Sequence, residues 1–280
     1  SGNYFITITD AAGCIHEDTT FVFQPGPLVI QVNATSTSNY NGQEISCFGA
    51  SDGEITVTAN GGTLPYTYQW TPNAGGQSTA IINNLSAGTY AVTLTDDNGC
   101  NVGTSVTITE PDPVVITDIV QTDSIKCFDD MSAALEVTTI GGTPNYSYNW
   151  TGDASGQNTN TPQVLGPGVY DVTVSDLNGC SADTSIQVTQ PDSLTLELNV
   201  LTDFNGFEIS CNGNTDGVID AIVQGGTAPY NYQWSGASTD TTDFLFGVGA
   251  GSYTLEVTDA NGCIVTDNVT LNEPPALTST

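Results

Sequence analysis

The chain repeats itself, and cysteine punctuates the repeat. Three stretches align without gaps: Tyr66-Thr67-Tyr68-Gln69-Trp70, Tyr146-Ser147-Tyr148-Asn149-Trp150 and Tyr230-Asn231-Tyr232-Gln233-Trp234. Each follows a Gly-Gly-Thr starting at Gly61, Gly141 or Gly225, and each Trp stands 23 residues after a Cys (Cys47, Cys127, Cys211). A second Cys closes each unit, in the sets Tyr90/Asp96/Cys100, Tyr170/Asp176/Cys180 and Tyr253/Asp259/Cys263. Every unit ends in Glu-Pro or Gln-Pro, at Pro111, Pro191 and Pro274. A period of this length means an array of like domains. The complete units run 26–111, 112–191 and 192–274. The same ending at Tyr4, Asp10, Cys14, Gln24 and Pro25 makes residues 1–25 the last hairpin of a truncated unit, and 275–280 the start of another. An isolated hairpin is marginally stable at best, so the rest of that first domain is expected upstream.

Within a unit the apolar residues alternate with period two. Ile55 and Val57 share a face, as do Tyr66, Tyr68 and Trp70, then Tyr90, Val92 and Leu94, then Val106 and Ile108. The residues between them are mostly Thr, Gln, Asn and Asp, so one face is buried and one is wet. Several short strands separated by Gly, Pro and Asn-Gly turns predict an all-β fold of tandem immunoglobulin-like (PKD-like) β-sandwich domains arranged end to end. Leu85-Ser86-Ala87-Gly88-Thr89-Tyr90, echoed over 165–170, reads as the tyrosine corner of such a sandwich. Two residues after that Tyr, where antibody domains place a core Cys, stand Val92, Val172 and Leu255. The usual bridge between sheets is therefore absent.

Charge narrows the function. The 280 residues carry 31 Asp plus Glu against one basic side chain, Lys126, for a formal net charge of −30. Nucleic-acid binding and polybasic membrane attachment both require Lys and Arg, and are excluded. His16 is the single imidazole, so general acid–base and anion-clamping chemistry have almost no material to work with. Charged residues are only 11% of the chain and apolar ones 38%, a composition that builds cores rather than disorder. No apolar run reaches the ~18–20 residues of a membrane-spanning helix, so direct membrane insertion is not expected.

Seven cysteines at regular spacing, without Cys-x-x-Cys or paired His, argue for disulfides in an oxidising setting. In a sandwich, the two cysteines of one unit lie at opposite ends of parallel-running strands, ~20 Å or more apart, whereas a disulfide needs Cα atoms within about 7 Å. Stacked units instead bring the first Cys of one to the second Cys of the next. That favours Cys47–Cys180 and Cys127–Cys263, leaving Cys14, Cys100 and Cys211 for partners elsewhere. Spacing alone leaves the intra-unit set open: Cys47–Cys100, Cys127–Cys180 and Cys211–Cys263.

The combination Cys-x4-Asp-Gly, Gly-Gly-Thr-x-Pro-Tyr-x-Tyr-x-Trp, Leu-x-x-Gly-x-Tyr and Asp-x-Asn-Gly-Cys resembles the SprB-type repeat of Bacteroidota surface adhesins. Unit two departs from it, with Asp129-Asp130-Met131 in place of the Asp-Gly at Asp52-Gly53 and Asp216-Gly217. The first hairpin departs too, with Phe21 and Phe23 on a face that is polar elsewhere. The resemblance implies a long adhesin on the surface of a Gram-negative cell, attached at the outer membrane, exported by type IX secretion and in some members moved during gliding. It also makes Asp123-Ser124-Ile125 and Asp192-Ser193-Leu194 similar to that phylum's O-glycosylation acceptors.

Candidate sites are few. Asp-x-Asn-Gly turns such as Asp96-Asp97-Asn98-Gly99 offer oxygen ligands for calcium, or else are hairpin turns capped by Asp. The sharper calcium candidate gathers Asp52, Glu110, Asp112 and Asp176 at a junction. The Tyr-x-Tyr-x-Trp stripes have the composition of a sugar platform, but their shared face assigns all nine rings to the core. Asn33, Asn145, Asn149 and Asn268 lie in Asn-x-Ser/Thr triplets that a Thr- and Asn-rich chain carries by chance. No catalytic constellation emerges. The expectation is a non-enzymatic adhesin segment, acting as stalk or as a multivalent surface-binding shaft. Its partners would be surface glycans or other surface ligands, neighbouring repeats and like chains laterally. The alternatives are a structural extracellular fibre and the spacer of a large secreted carbohydrate-active protein.

Overall fold

The computed structural model describes residues 1–35, 40, 42–236 and 238–278. Of the closing segment 275–280, residues 279–280 lie outside the described residues. The chain is all-β; helix among the described residues is limited to two 3-10 turns, Pro72–Ala74 and Gly152–Ala154. None is long and apolar enough to cross a membrane.

The strands follow the predicted alternation. A hairpin of β1 (Gly2–Thr9) and β2 (Ile15–Val22) opens the chain. The first repeat contributes β3 (Val29–Thr35), β4 (Gly53–Asn60), β5 (Thr67–Trp70), β6 (Ile81–Leu85), β7 (Gly88–Thr95) and β8 (Asn101–Ile108). The second contributes β9 (Val115–Asp123), β10 (Ala134–Ile140), β11 (Ser147–Trp150), β12 (Gly168–Ser175) and β13 (Ser181–Val188). The third contributes β14 (Thr195–Val200), β15 (Gly217–Gln224), β16 (Asn231–Gly236), β17 (Phe244–Val248), β18 (Gly251–Thr258) and β19 (Ile264–Leu271). In the first and third repeats these pair as two three-stranded sheets, β3-β4-β6 with β5-β7-β8 and β14-β15-β17 with β16-β18-β19. Every register determined for those two repeats is antiparallel. Two such sheets around one core are the immunoglobulin-like sandwich.

The second repeat keeps only β9-β10 as a ladder on that side. Its third strand is reduced to an Ala133–Leu165 bridge, with Leu135 N donating to Pro162 O (3.0 Å) and Val137 N to Asn160 O (2.9 Å). Pro162 has no N–H to give a ladder, which accounts for the loss.

The chain divides into two compact units. One holds Ser1–Val115, Ile140–Tyr146 and Ser175–Ser181; the other holds Ile116–Thr139, Ser147–Val174 and Ala182–Thr280. The division passes through the second repeat, whose Gly141 loop and Asp176 turn belong to the first unit. The core of that unit gathers Ile45, Ile55, Val57, Trp70, Ile82, Leu85, Tyr90, Val92 and Ile108. The hairpin β1–β2 adds no core. Tyr4, Ile6 and Ile8, the counterparts of buried Tyr90, Val92 and Leu94, are 55%, 51% and 60% exposed, and Phe21 and Phe23 also face solvent. In the other unit, Ile209, Ile219, Trp234, Leu245, Tyr253, Leu255, Val257 and Leu271 form one cluster. The second repeat buries Ile125, Leu135, Val137, Trp150, Leu165, Val172 and Val188.

Each buried Trp uses its single donor. Trp70 Nε1 bonds Thr79 O at 3.0 Å, Trp150 Nε1 bonds Thr159 O at 2.8 Å and Trp234 Nε1 bonds Thr242 O at 2.8 Å. The tyrosine corners are present as well. Tyr90, Tyr170 and Tyr253 donate to Ser86 O, Gly166 O and Gly249 O at 2.8–2.9 Å. Burial, and then the Asp153 carboxylate, push the Tyr170 hydroxyl up to about 12, so it stays a donor at any physiological pH.

The departure in unit two lies elsewhere than the motif suggests. Gly53 pairs with Leu85, and Ala133 pairs with Leu165, so Ser132-Ala133, not Asp129-Asp130-Met131, occupies the Asp-Gly positions. Asp129 instead takes the left-handed turn position (φ 60°) held by Gly49 and Gly213 (φ 75° and 81°). Packing explains the exchange at Ala133. A Cβ on Gly217 would lie 2.5 Å from Leu271 Cδ2 and 2.8 Å from Val248 O. Where the second repeat has Ala133, the residue matching Leu271 is the shorter Val188. Gly217→Ala should therefore cost about 1–3 kcal/mol by overpacking. Adding Leu271→Val should recover part of that loss, read as the urea midpoint of the single and double variants.

Candidate functional site

The chemically distinctive places are the two turns that carry the cysteines. The first-cysteine turn is anchored by a buried Ile two residues ahead: Ile45, Ile125 or Ile209. It then closes on itself, with Ala50 N, Asp130 N and Asn214 N donating to Cys47 O, Cys127 O and Cys211 O at 3.0–3.1 Å. The Glu/Gln-Pro ending of each repeat holds its shape. Gly49 N donates to Glu110 Oε2 (2.6 Å), Asp129 N to Gln190 Oε1 (2.9 Å) and Gly213 N to Glu273 Oε2 (2.6 Å). The sequence pattern assigns these side chains no such role, although their distance of 62–63 residues from the first Cys is regular.

The second-cysteine turn is organised by one buried carboxylate. Asp96 Oδ1 accepts from Asn98 N (3.0 Å) and Cys100 N (2.8 Å), while Oδ2 accepts from Thr63 N (2.9 Å) in the Gly-Gly-Thr loop. Asp176 and Asp259 repeat the three bonds with Thr143 and Thr227. These aspartates are only 5–6% exposed. Burial pushes the Asp96 and Asp259 carboxyls up, but their N–H donors together outweigh it and hold both below the ordinary value. The loop opposite needs its glycines. At Gly61, Gly141 and Gly225 φ is positive, and a Cβ would collide with the carbonyl of Pro27, Pro113 or Ser193.

The two kinds of turn meet across successive repeats. Cys47 is bonded to Cys180 (S–S 2.02 Å, Cα–Cα 5.6 Å) and Cys127 to Cys263 (2.03 Å, 5.7 Å). Of the two pairings left open by spacing, this is the one between units. Beside each bond the Asn of the Asn-Gly turn reaches the carbonyl just before the partner Cys: Asn178 Nδ2 to Ser46 O (3.1 Å) and Asn261 Nδ2 to Lys126 O (3.0 Å). Cys14, Cys100 and Cys211 are exposed thiols.

The four carboxylates considered for calcium are not gathered. Asp52 accepts from Ser46 N, Glu110 from Gly49 N and Asp176 from its own turn, while the exposed Asp112 takes part through its backbone oxygen, which accepts from Gly142 N. Among the described residues no three His, Cys, Asp or Glu side chains are placed to hold a metal ion together. In the aromatic stripes Trp70, Trp150 and Trp234 are buried, and Tyr68, Tyr148 and Tyr232 are half-buried. Tyr66, Tyr146 and Tyr230 sit at the rim and close the Gly-Gly loops through their hydroxyls, bonded to Gly61 O, Gly141 O and Gly225 O at 2.5–2.6 Å. His16 is exposed, and so is Lys126, which enters the junction only through its backbone carbonyl.

Tandem immunoglobulin-like sandwiches joined by cysteines between repeats define the class. The SprB repeat family matches three stretches of the chain, residues 39–75, 119–155 and 208–239. No curated protein matches the chain in sequence. Solved structures to which it is similar include the following three. The N-terminal eight Ig domains of Down Syndrome Cell Adhesion Molecule are 14% identical (TM-score 0.31), over 98% of this chain and 51% of that one. Titin domains I67–I69, in an E-to-A variant, are 12% identical (TM-score 0.43; 91% and 100%). A calcium-stabilised adhesin with which an Antarctic bacterium binds ice is 17% identical (TM-score 0.41; 97% and 80%). The chain thus spans about half the length of the first of these.

Proposed function

We propose that this chain is a non-enzymatic repeat segment of an extracellular adhesin, serving as a stalk that carries tension between a cell surface and what the cell adheres to. The observation that supports it most is the overlap of the two disulfides, Cys47–Cys180 and Cys127–Cys263. Because the loops interlock in sequence, the shortest covalent path through the chain runs Ser1–Cys47, back from Cys180 to Cys127, and on from Cys263 to Thr280. The spans 48–126 and 181–262 join the same two bridges in parallel with 128–179, so a pull on the ends is shared among three segments and draws none of them out farther than the shortest, 128–179, allows. The three SprB repeat matches support the assignment to an adhesin, and through the resemblance this reading extends to type IX export and a place in adhesion or gliding. Surface glycans are the ligand class of this reading, with many weak contacts along one chain giving avidity.

Single-molecule pulling tests the mechanical core of the proposal. Held by its ends, the oxidised chain should extend to about 400 Å and the reduced chain to about 1,000 Å, at ~3.5 Å per residue. Equal extensions in both states would remove the support.

A further inference from the structure

Cys100 lies in a turn built like those of Cys180 and Cys263, yet it is free and exposed. Asp96 makes the same three backbone bonds. Asn98 Nδ2 is already oriented by Thr63 Oγ1 at 2.8 Å, as Asn178 is by Thr143 (2.9 Å) and Asn261 by Thr227 (3.0 Å). Where those turns hold the carbonyl and sulfur of a first-cysteine turn, this one borders a 310 Å³ cavity lined by Pro25, Gly62, Asp96, Asn98 and Cys100. We propose that Asn98 and Cys100 form a receptor for the first-cysteine turn of a further SprB repeat, sealed by a disulfide.

The ligand's shape is visible in the chain. Around the free Cys211, Ser210 N bonds Asp216 Oδ1 at 3.1 Å and Gly213 N bonds Glu273 Oε2 at 2.6 Å. Around the bonded Cys47, Ser46 N bonds Asp52 Oδ1 at 3.2 Å and Gly49 N bonds Glu110 Oε2 at 2.6 Å. The chain also carries its own control. Cys14 has the capping Asp10, bonded to Ala12 N and Cys14 N, but Ala12 stands where Asn98 would be. It is a thiol in the same turn without the amide that grips the incoming carbonyl.

The step is thiol–disulfide exchange. With the turn supplied as a mixed disulfide with glutathione, the Cys100 thiolate attacks the peptide sulfur. The peptide–glutathione S–S bond breaks, a Cys100–peptide S–S bond forms and glutathione leaves as its thiolate. One disulfide is consumed and one made, so no further oxidant is required.

The probe is a peptide of residues 208–216, Glu-Ile-Ser-Cys-Asn-Gly-Asn-Thr-Asp, carried on glutathione and offered at equilibrium to the full chain. Non-reducing peptide mapping should find about tenfold more peptide on Cys100 than on Cys14, the ratio one well-placed hydrogen bond supplies. Asn98→Ala should bring the two within about twofold, and so should the isosteric Asn98→Asp, which lacks the amide donor. Equal loading of Cys14 and Cys100 in the unaltered chain would overturn the proposal, and so would a preference that survives both substitutions. The result is independent of the stalk reading, which rests on the two closed disulfides.

Discussion

A Trp234→Ala chain should lose about 3–5 kcal/mol from its third repeat, the usual cost of truncating a buried Trp. Set against the 5–15 kcal/mol that typically holds a domain together, this is enough to leave that repeat largely unfolded in mild denaturant. The indole is 2% exposed, among Ile219, Leu245, Tyr253 and Leu255. Its removal also withdraws the donor that Thr242 O accepts, adding to the loss where the carbonyl stays buried. The first repeat has a core cluster of its own around Trp70, so the damage should be local. Hydrogen exchange should show amides of β14–β19 losing protection while those of β3–β8 keep it. Trp234→Phe, which retains most of the apolar surface, should cost clearly less. Loss of protection in every repeat at once would show that the cores are not separate.

Much of this was legible beforehand because the repeat supplies its own comparison. Strand positions follow from alternation, since Ile55, Val57, Tyr90, Val92 and Leu94 can share a face only in extended backbone. Strand direction, which separates the two cysteines of one repeat, favours the cross-unit cysteine pairing, while spacing alone leaves the intra-unit set open. What escaped was chemistry without a compositional flag. Among 31 carboxylates, nothing in the pattern singles out Glu110 and Glu273 as acceptors for a backbone N–H, or shows that Asp52, Glu110 and Asp176 serve separate local bonds. Asp129 misleads for a specific reason: it fills a left-handed position that glycine holds in the other repeats, so it stands near the expected Asp-Gly and resembles its remnant. The true substitution, Ala133 for Gly, shows itself only beside the shorter Val188, a pairing across the core that no local motif contains.

The second large effect concerns the buried aspartates, and Asp259 is the one to change. Its Oδ2 accepts from Thr227 N (2.8 Å) and its Oδ1 from Asn261 N (2.8 Å) and Cys263 N (2.9 Å), so both oxygens face donors. In Asp259→Asn one of those positions becomes an NH2, donor against donor, in a site 5% exposed. The expected cost at pH 7 is about 2–3 kcal/mol. Protonation does to Asp259 much what the amide does, and this gives the prediction its pH signature. The carboxyl is held below its ordinary 3.8, burial opposing and the N–H donors of Cys263, Thr227, Asn261 and Gly262 prevailing. A depressed value in the folded state means stability that is fully present above the unfolded value and lost as pH falls through the folded one. The gap between the parent chain and Asp259→Asn should therefore be constant from pH 7 to about 5. It should narrow below about 4 and nearly vanish once Asp259 is protonated in the folded protein. Taking the difference between two chains matters here. Acid also relieves the mutual repulsion of a molecule with net charge −30, and that effect is nearly common to both. Urea midpoints measured between pH 7 and 2.5 would settle it. A gap that stays constant to the lowest pH would mean the carboxylate contributes shape alone, and its charge nothing, to joining the Asn-Gly turn to the Gly-Gly loop.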